Sequence, residues 1–355
     1  IGYIKFRQFT EGSAADFKDA FQSLQQNTQL DGLIVDLRGN PGGLLREAVR
    51  MSNFFLPLGD TIVSVRGRSE IWNEVYTAIQ KPIDTLIPLV VLINRRSASA
   101  AEIFAGAMQD LDRGVIVGRK SFGKGLVQGT RELPYHSELK LTVGRYYTPS
   151  GRCIQKLDYH HRDKYGSPIK VIDSIQKDFT TTNGRIVHNN GGITPDKLIN
   201  QRYLSNLSNA LINNNLIFLF AARYIQLHPV APELGQFQVS DSLFRKFKHY
   251  VGKHSLAYRS RGEQLLERIK ADAIGAGYYD SVESNYNKLA LQIRKYTHPA
   301  LKEKKQEISE LLAREIMNCY YRLPGKTAAN LSQSPVIDTA IGILRNRKRY
   351  EEILR

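Results

Sequence analysis

Two short stretches of this 355-residue chain pair a reactive side chain with a setting that could activate it. The first, Gly118-Arg119-Lys120-Ser121-Phe122-Gly123-Lys124-Gly125, comes within one residue of the phosphate-binding pattern GxxxxGK[ST]. Glycine stands where a Ser or Thr hydroxyl would hold magnesium. Residues 126–130, with Pro134 soon after, do not read as the helix whose N-terminus such a loop needs. A nucleotide-binding role fails on both counts. The second stretch, Ser97-Ala98-Ser99-Ala100-Ala101-Glu102, has the spacing of a capping box, with Ser99 as N-cap and Glu102 at the third helical position. That position also sets a serine hydroxyl beside free helix N–H groups and the helix dipole, which could stabilise an oxyanion. A nucleophilic serine needs a base. The eight histidines lie in polar or helical contexts away from these motifs, and no G-x-S-x-G elbow supports a Ser-His-Asp triad. A lysine can serve where burial favours its neutral form. Lys124, flanked by Phe122, Gly123, Gly125, Leu126 and Val127, is the lysine in a compact apolar and glycine setting, whereas Lys120 reads as solvated.

The elements that must hold these groups follow from periodicity. An extended segment over residues 1–8 precedes a helix over 13–30 with Ser13 as its N-cap. Strands are expected over 33–37, 61–66, 86–94 and 114–117, and helices over 44–55 and 100–111. The run at 86–94 is unbroken apolar sequence ending abruptly in polar residues, as a strand buried on both faces requires. Ser99 therefore falls at the carboxyl end of a core strand, the edge where open α/β sheets carry their sites. This βαβα order predicts an α/β structure with a largely parallel core sheet. Beyond residue 130 the strands shorten: 139–147 alternates, and 158–192 is a polar excursion with small hairpins. Residues 201–355 show helical periodicity almost throughout, with Leu265, Leu266, Ile269 and Ala273 on one expected face. Two units result, 1–200 and a basic, mainly helical 201–355.

At this point several motifs in one order resemble those of the carboxyl-terminal processing (tail-specific) peptidases, the S41 serine peptidases. They are Asp36-Leu37-Arg38-Gly39-Asn40-Pro41-Gly42-Gly43, the Ser97–Glu102 stretch, and the segment from Gly118 through Lys124 to Gln128. Tyr147-Thr148-Pro149-Ser150-Gly151-Arg152 and Gly191-Gly192-Ile193-Thr194-Pro195-Asp196 follow. The likeness covers residues 1 to about 199, and its texture resembles the Bacteroidetes branch. It implies a mixed sheet with flanking helices in a ClpP/crotonase-like core, followed by a mainly α-helical C-terminal domain. By motif it implies Ser99 as nucleophile, Lys124 as general base and Gln128 as the group orienting the lysine. The oxyanion hole would use the backbone N–H of Ala100 and one from Gly42 or Gly43, since Pro41 has none. No metal or other cofactor is implied. The substrates implied are proteins or peptides bound through their C-terminal region, in the bacterial periplasm or cell envelope, and homo-oligomerisation is left open. Members of the family usually carry a PDZ domain just before the segment matching Ile1, so its absence here is an expected departure. The sequence also opens with neither Met nor a leader-like segment, as a fragment or processed product would.

Composition narrows the rivals. The longest apolar stretches, 86–93 and 216–222, fall far short of the ~18 residues a membrane span needs. Two cysteines, Cys153 and Cys319, make no CxxC and no Cys/His cluster, and are expected to be separately buried thiols. The net charge is +16, of which 24 basic and 14 acidic residues place +10 on residues 201–355. A non-catalytic basic binding module for nucleic acid or anionic envelope partners is the alternative. It rests on clusters such as Lys302, Lys304 and Lys305 and Arg345, Arg347, Lys348 and Arg349. Charge runs on helices are as a rule solvated faces, and aromatic interleaving is weak, so no nucleic-acid partner is expected.

Overall fold

The computed structural model describes residues 1–164, 166–170, 177–189, 191–199, 204–233, 237–254, 261–297, 301–331 and 334–355. Its internal contacts divide the chain into Ile1–Asn200 with Pro335–Arg355, and Gln201–Ser334.

In the first unit the chain runs β1 (Gly2–Lys5), α1 (Ser13–Asn27), β2 (Leu33–Asp36), α2 (Leu45–Asn53), β3 (Thr61–Gly67), β4 (Glu74–Thr77), β5 (Leu89–Ile93), α3 (Ala100–Asp110), β6 (Val115–Gly118), β7 (Leu126–Leu133) and β8 (Ser137–Tyr147). Two small hairpins follow, β9 (Leu157–Arg162) with β10 (Pro168–Lys170) and β11 (Asp178–Thr180) with β12 (Ile186–His188), and then β13 (Lys197–Leu198). The main sheet has the order β1-β2-β5-β6-β13 with every neighbouring pair parallel. All five residues of β5 are buried, which is why its sequence is apolar without alternation. One face of the sheet meets α1, α2 and α3 through a core rich in Phe17, Phe21, Phe55 and Phe104, whose rings pack edge-on or tilted. A second sheet, β4-β3-β8-β7, is antiparallel, with β7 on its edge. The segment after Lys124 is thus a strand, in line with its failure to read as a helix.

Two local expectations are corrected. The N-cap of α1 is Gly12 at φ 79°, and Ser13 is already helical. The Ala14 N–H at that helix start is met from another helix, by Glu47 Oε2 of α2 at 2.9 Å. Both cysteines are free and half-buried rather than fully buried.

The second unit holds α4 (Asn206–Asn213), α5 (Leu216–Leu227), α6 (Asp241–Gly252), α7 (Arg261–Gly275), α8 (Tyr279–Thr297) and α9 (Lys305–Leu331). Its core joins Phe220 of α5, Phe244 and Phe247 of α6, and Ile308, Leu312 and Ile316 of α9, at helical spacings. On α7 only Leu266 and Ala273 of the expected face are buried, while Leu265 and Ile269 are exposed. No helix among the described residues is long and apolar enough to cross a membrane.

The expected helical region 201–355 is divided. Helices α10 (Pro335–Arg345) and α11 (Arg347–Ile353) belong to the first unit, where α10 packs on β5 and β6. Strands β2, β5 and β6 alternate side chains between two faces, and both faces need cover. Ile337, Ala340, Ile343 and Leu344 of α10 are buried there.

Candidate active site

Ser99 sits between the carboxyl end of β5 and the first turn of α3. All eleven residues of α3 are buried, so its N-terminus is held by packing on every side. The segment leading to it is pinned to the loop after β2. Ser97 Oγ donates to the Leu37 carbonyl at 2.8 Å and accepts from Asn94 N at 2.9 Å, while Ala98 N donates to the Asn40 carbonyl at 3.0 Å. Ser99 itself adopts φ 55° and ψ −119°. Positive φ in a non-glycine residue is sterically costly and marks a position the surroundings enforce.

What enforces it is the glycine loop. Asp36, at the end of β2, is buried and takes bonds from Arg38 at 2.7 to 3.0 Å, from the Tyr3 hydroxyl at 2.7 Å, and an ion pair from Lys5 at 3.1 Å. Burial alone would raise its carboxyl, but the bonds and charges of Arg38, with Lys5 and Tyr3, hold it below the ordinary range. The loop this anchors brings Gly42 against Ser99. A Cβ on Gly42 would stand 2.5 Å from the Ala98 oxygen, 2.8 Å from Ser99 Cβ and 2.9 Å from the Ala100 nitrogen. Only glycine fits that approach, and its φ of 97° also favours glycine. The buried Asn40 side chain donates to the Phe6 carbonyl at 3.1 Å and accepts the Gly42 N–H at 2.8 Å. Among the described residues no hydrogen bond occupies the N–H of Ala100 or of Gly43.

Lys124 lies between β6 and β7 and is half-buried, with Gly123 and Gly125 buried on either side. Its backbone is tied to the same helix start as Ser99. Glu102, fully buried, accepts from Ser99 N at 2.8 Å and from Lys124 N at 2.9 Å, both on Oε2. Its Oε1 accepts from Gly123 N at 2.7 Å and from Ser121 Oγ at 2.5 Å. Burial pushes the Glu102 carboxyl up, and these four donors act against that by favouring the ionised form. Phe122 N donates to the Ser97 carbonyl at 2.9 Å, so the lysine segment is laced to the serine segment twice. The buried Tyr146 on β8 donates its hydroxyl to the Lys124 carbonyl and reaches the Ser99 carbonyl at 3.3 Å.

The backbones of Ser99, Ala100, Gly42, Gly43 and Lys124 are therefore gathered at one edge of the parallel sheet. The side chains are less closely joined. Among the described residues no hydrogen bond links Ser99 Oγ to Lys124 Nζ, or Lys124 Nζ to Gln128, which is exposed on β7 opposite Thr142. Reading by motif missed Tyr146 and Ser121 as site neighbours and saw Glu102 only as a cap. A signal for Glu102 was available: it is the sole charge in the first ten residues of an otherwise apolar helix, and buried charges demand partners.

Residues 1–160 match the model of peptidase family S41. Residues 207–344 match a second model, described as the C-terminal helical domain of a probable PDZ-protease. The chain is 45% identical over 160 residues to a carboxy-terminal-processing protease of Bartonella bacilliformis, an alignment covering 44% of this chain and 36% of that protein. It is 40% identical over 156 residues to the carboxy-terminal processing protease CtpA of Bacillus subtilis, covering 44% and 33%. The chain thus spans about a third of the length of these curated relatives. Among solved structures, a photosystem II D1 C-terminal processing protease superposes with a TM-score of 0.43 at 30% identity, covering 56% of this chain and 42% of that one.

Proposed function

We propose that this protein is a serine endopeptidase that hydrolyses peptide bonds near protein C-termini through an acyl-enzyme. The observation that carries the reading is the sharing of one buried carboxylate oxygen, Glu102 Oε2, by the backbone N–H groups of Ser99 and Lys124. That sharing ties the backbones of a serine and a lysine to a single carboxylate oxygen at a sheet edge. Unprotonated Lys124 takes the Ser99 proton, and Ser99 Oγ attacks the scissile carbonyl. The developing oxyanion is met by the N–H of Ala100, an unpaired first-turn donor of α3. The second donor is Gly43 rather than Gly42, because Asn40 already accepts the Gly42 N–H. Lys124 then protonates the leaving amine, and water hydrolyses the ester by the same route in reverse. Gln128, one strand residue pair beyond Leu126, orients the lysine once Lys124 turns toward Ser99. Preference for chain ends rests on the resemblance and on the names of the relatives, and a place in the bacterial periplasm or envelope rests on the resemblance alone.

A fluorophosphonate label and an unstructured peptide substrate test this together. The expected result is a single adduct on Ser99, with turnover abolished by Ser99→Ala and by Lys124→Ala. Wild-type turnover surviving in Lys124→Ala, or an adduct elsewhere, would overturn the dyad.

A further inference from the structure

Ser99 and Lys124 come from separate segments, and no side-chain bond joins them, so something else must set their relative placement. We propose that Glu102 and Tyr146 are positioning residues that together clamp the Ser99 and Lys124 backbones, the carboxylate holding both N–H groups and the phenol holding both carbonyls. The inference rests on Ser99 and Lys124 being nucleophile and base.

Each half of the clamp is chemically suited to its side. A carboxylate offers only acceptors and here meets only donors: Ser99 N and Lys124 N on one oxygen, Gly123 N and Ser121 Oγ on the other. A phenol held protonated offers a donor, and burial pushes Tyr146 well up, keeping its proton on. The hydroxyl is within hydrogen-bond reach of the carbonyls of Lys124 and Ser99. Tyr146 is itself fixed, since its backbone N–H donates to the Gly125 carbonyl at 3.0 Å. Ser121 carries the brace outward: its hydroxyl, while bonded to Glu102, accepts the Ile193 N–H at 2.6 Å.

Neither residue need touch substrate. Glu102 is fully buried and Tyr146 is 1% exposed. Their effect falls on the attack geometry, where a displacement of about 1 Å costs on the order of a hundredfold in rate. The loss should therefore appear in kcat and leave KM alone.

Tyr146→Phe, in the full chain, removes only the hydroxyl. Peptide hydrolysis should show kcat lowered roughly 10- to 100-fold with KM within about twofold. Amide hydrogen exchange should be about tenfold faster at Gly123 and Lys124 and unchanged along β5. If Tyr146→Phe does not fold, Glu102→Gln, which puts an NH2 among donors, is read the same way. Unchanged kcat, or a loss confined to KM, overturns the clamp. If wild-type protein neither cleaves peptide nor labels at Ser99, the peptidase reading fails by itself. The exchange measurement then decides the clamp alone, and unchanged protection at Gly123 and Lys124 overturns it.

Discussion

The glycine loop carries the most stringent constraint on any single residue of the site. At Gly42 both the φ of 97° and the approach to Ala98, Ser99 and Ala100 exclude a side chain, and the atoms met are backbone or the Cβ of Ser99. Gly39, three residues earlier, has φ 79° but nothing within 4 Å of the Cβ direction. The two alanine variants therefore separate strain from crowding. Gly39→Ala should cost about 1–2 kcal/mol of stability and keep its turnover. Gly42→Ala carries a similar backbone penalty and also pushes Ser99 away, so it should lose nearly all activity; equal activity in the two variants would refute the crowding argument. Motif reading reached Gly42, Ser99 and Lys124 because their chemistry is local: a turn, a cap, a lysine among glycines. It did not reach Tyr146, which lies 22 residues from Lys124 and 47 from Ser99 in sequence and meets them from β8, a strand held between β3 and β7. Nothing in an alternating strand says which hydroxyl will find a buried carbonyl.

Whole elements were legible where one element determines its own fate. The run at β5 and the capping spacing at α3 each follow from local pattern, and both form within a few residues of expectation. Legibility fails where a partner decides. Glu47 meets the N-terminus of α1 from α2, and no spacing within α1 announces it. The β1–β2 pair shows how such tertiary electrostatics should be measurable. Asp36 at the end of β2 is bound by Tyr3 and Lys5 of β1 and by Arg38, and its carboxyl is held low in the folded state. A folded value below the unfolded one means the contribution is fully present above about pH 4 and is lost as pH falls through the lower folded value. Thermal midpoints should thus fall steeply below about pH 4, and Asp36→Asn should be less stable near neutrality with a shallower acid slope. Parallel midpoint curves for the two proteins would show that Asp36 is not the group responsible.

At the scale of the whole molecule, composition and periodicity place a boundary near residue 200 and a helical unit from there to residue 355, whereas the structure's units are Ile1–Asn200 with Pro335–Arg355, and Gln201–Ser334. They assigned residues 335–355 to the helical part because an amphipathic helix does not name the surface it covers. In the structure those residues complete the first unit instead. Leu344 of α10 packs so closely that a Cβ on Gly32 would stand 2.9 Å from its Cδ2. Tyr350 of α11 is buried, and its hydroxyl accepts the Leu89 N–H at 2.9 Å, at the start of β5. The far end of that strand leads to Ser99, so the sheet's anchor and its chemistry sit at opposite ends of β5. Tyr350→Phe leaves a buried N–H without its acceptor, a loss of about 1–3 kcal/mol. For a unit of this size that lowers the melting midpoint by at least about 2 °C. Well below the midpoint, kcat and KM should stay at their wild-type values, because β5 is held along its length by β2 and β6. A Tyr350→Phe protein with an unchanged midpoint would remove the anchoring role. One with an unchanged midpoint but reduced kcat would mean that the strand transmits its end position to Ser99 without a stability cost.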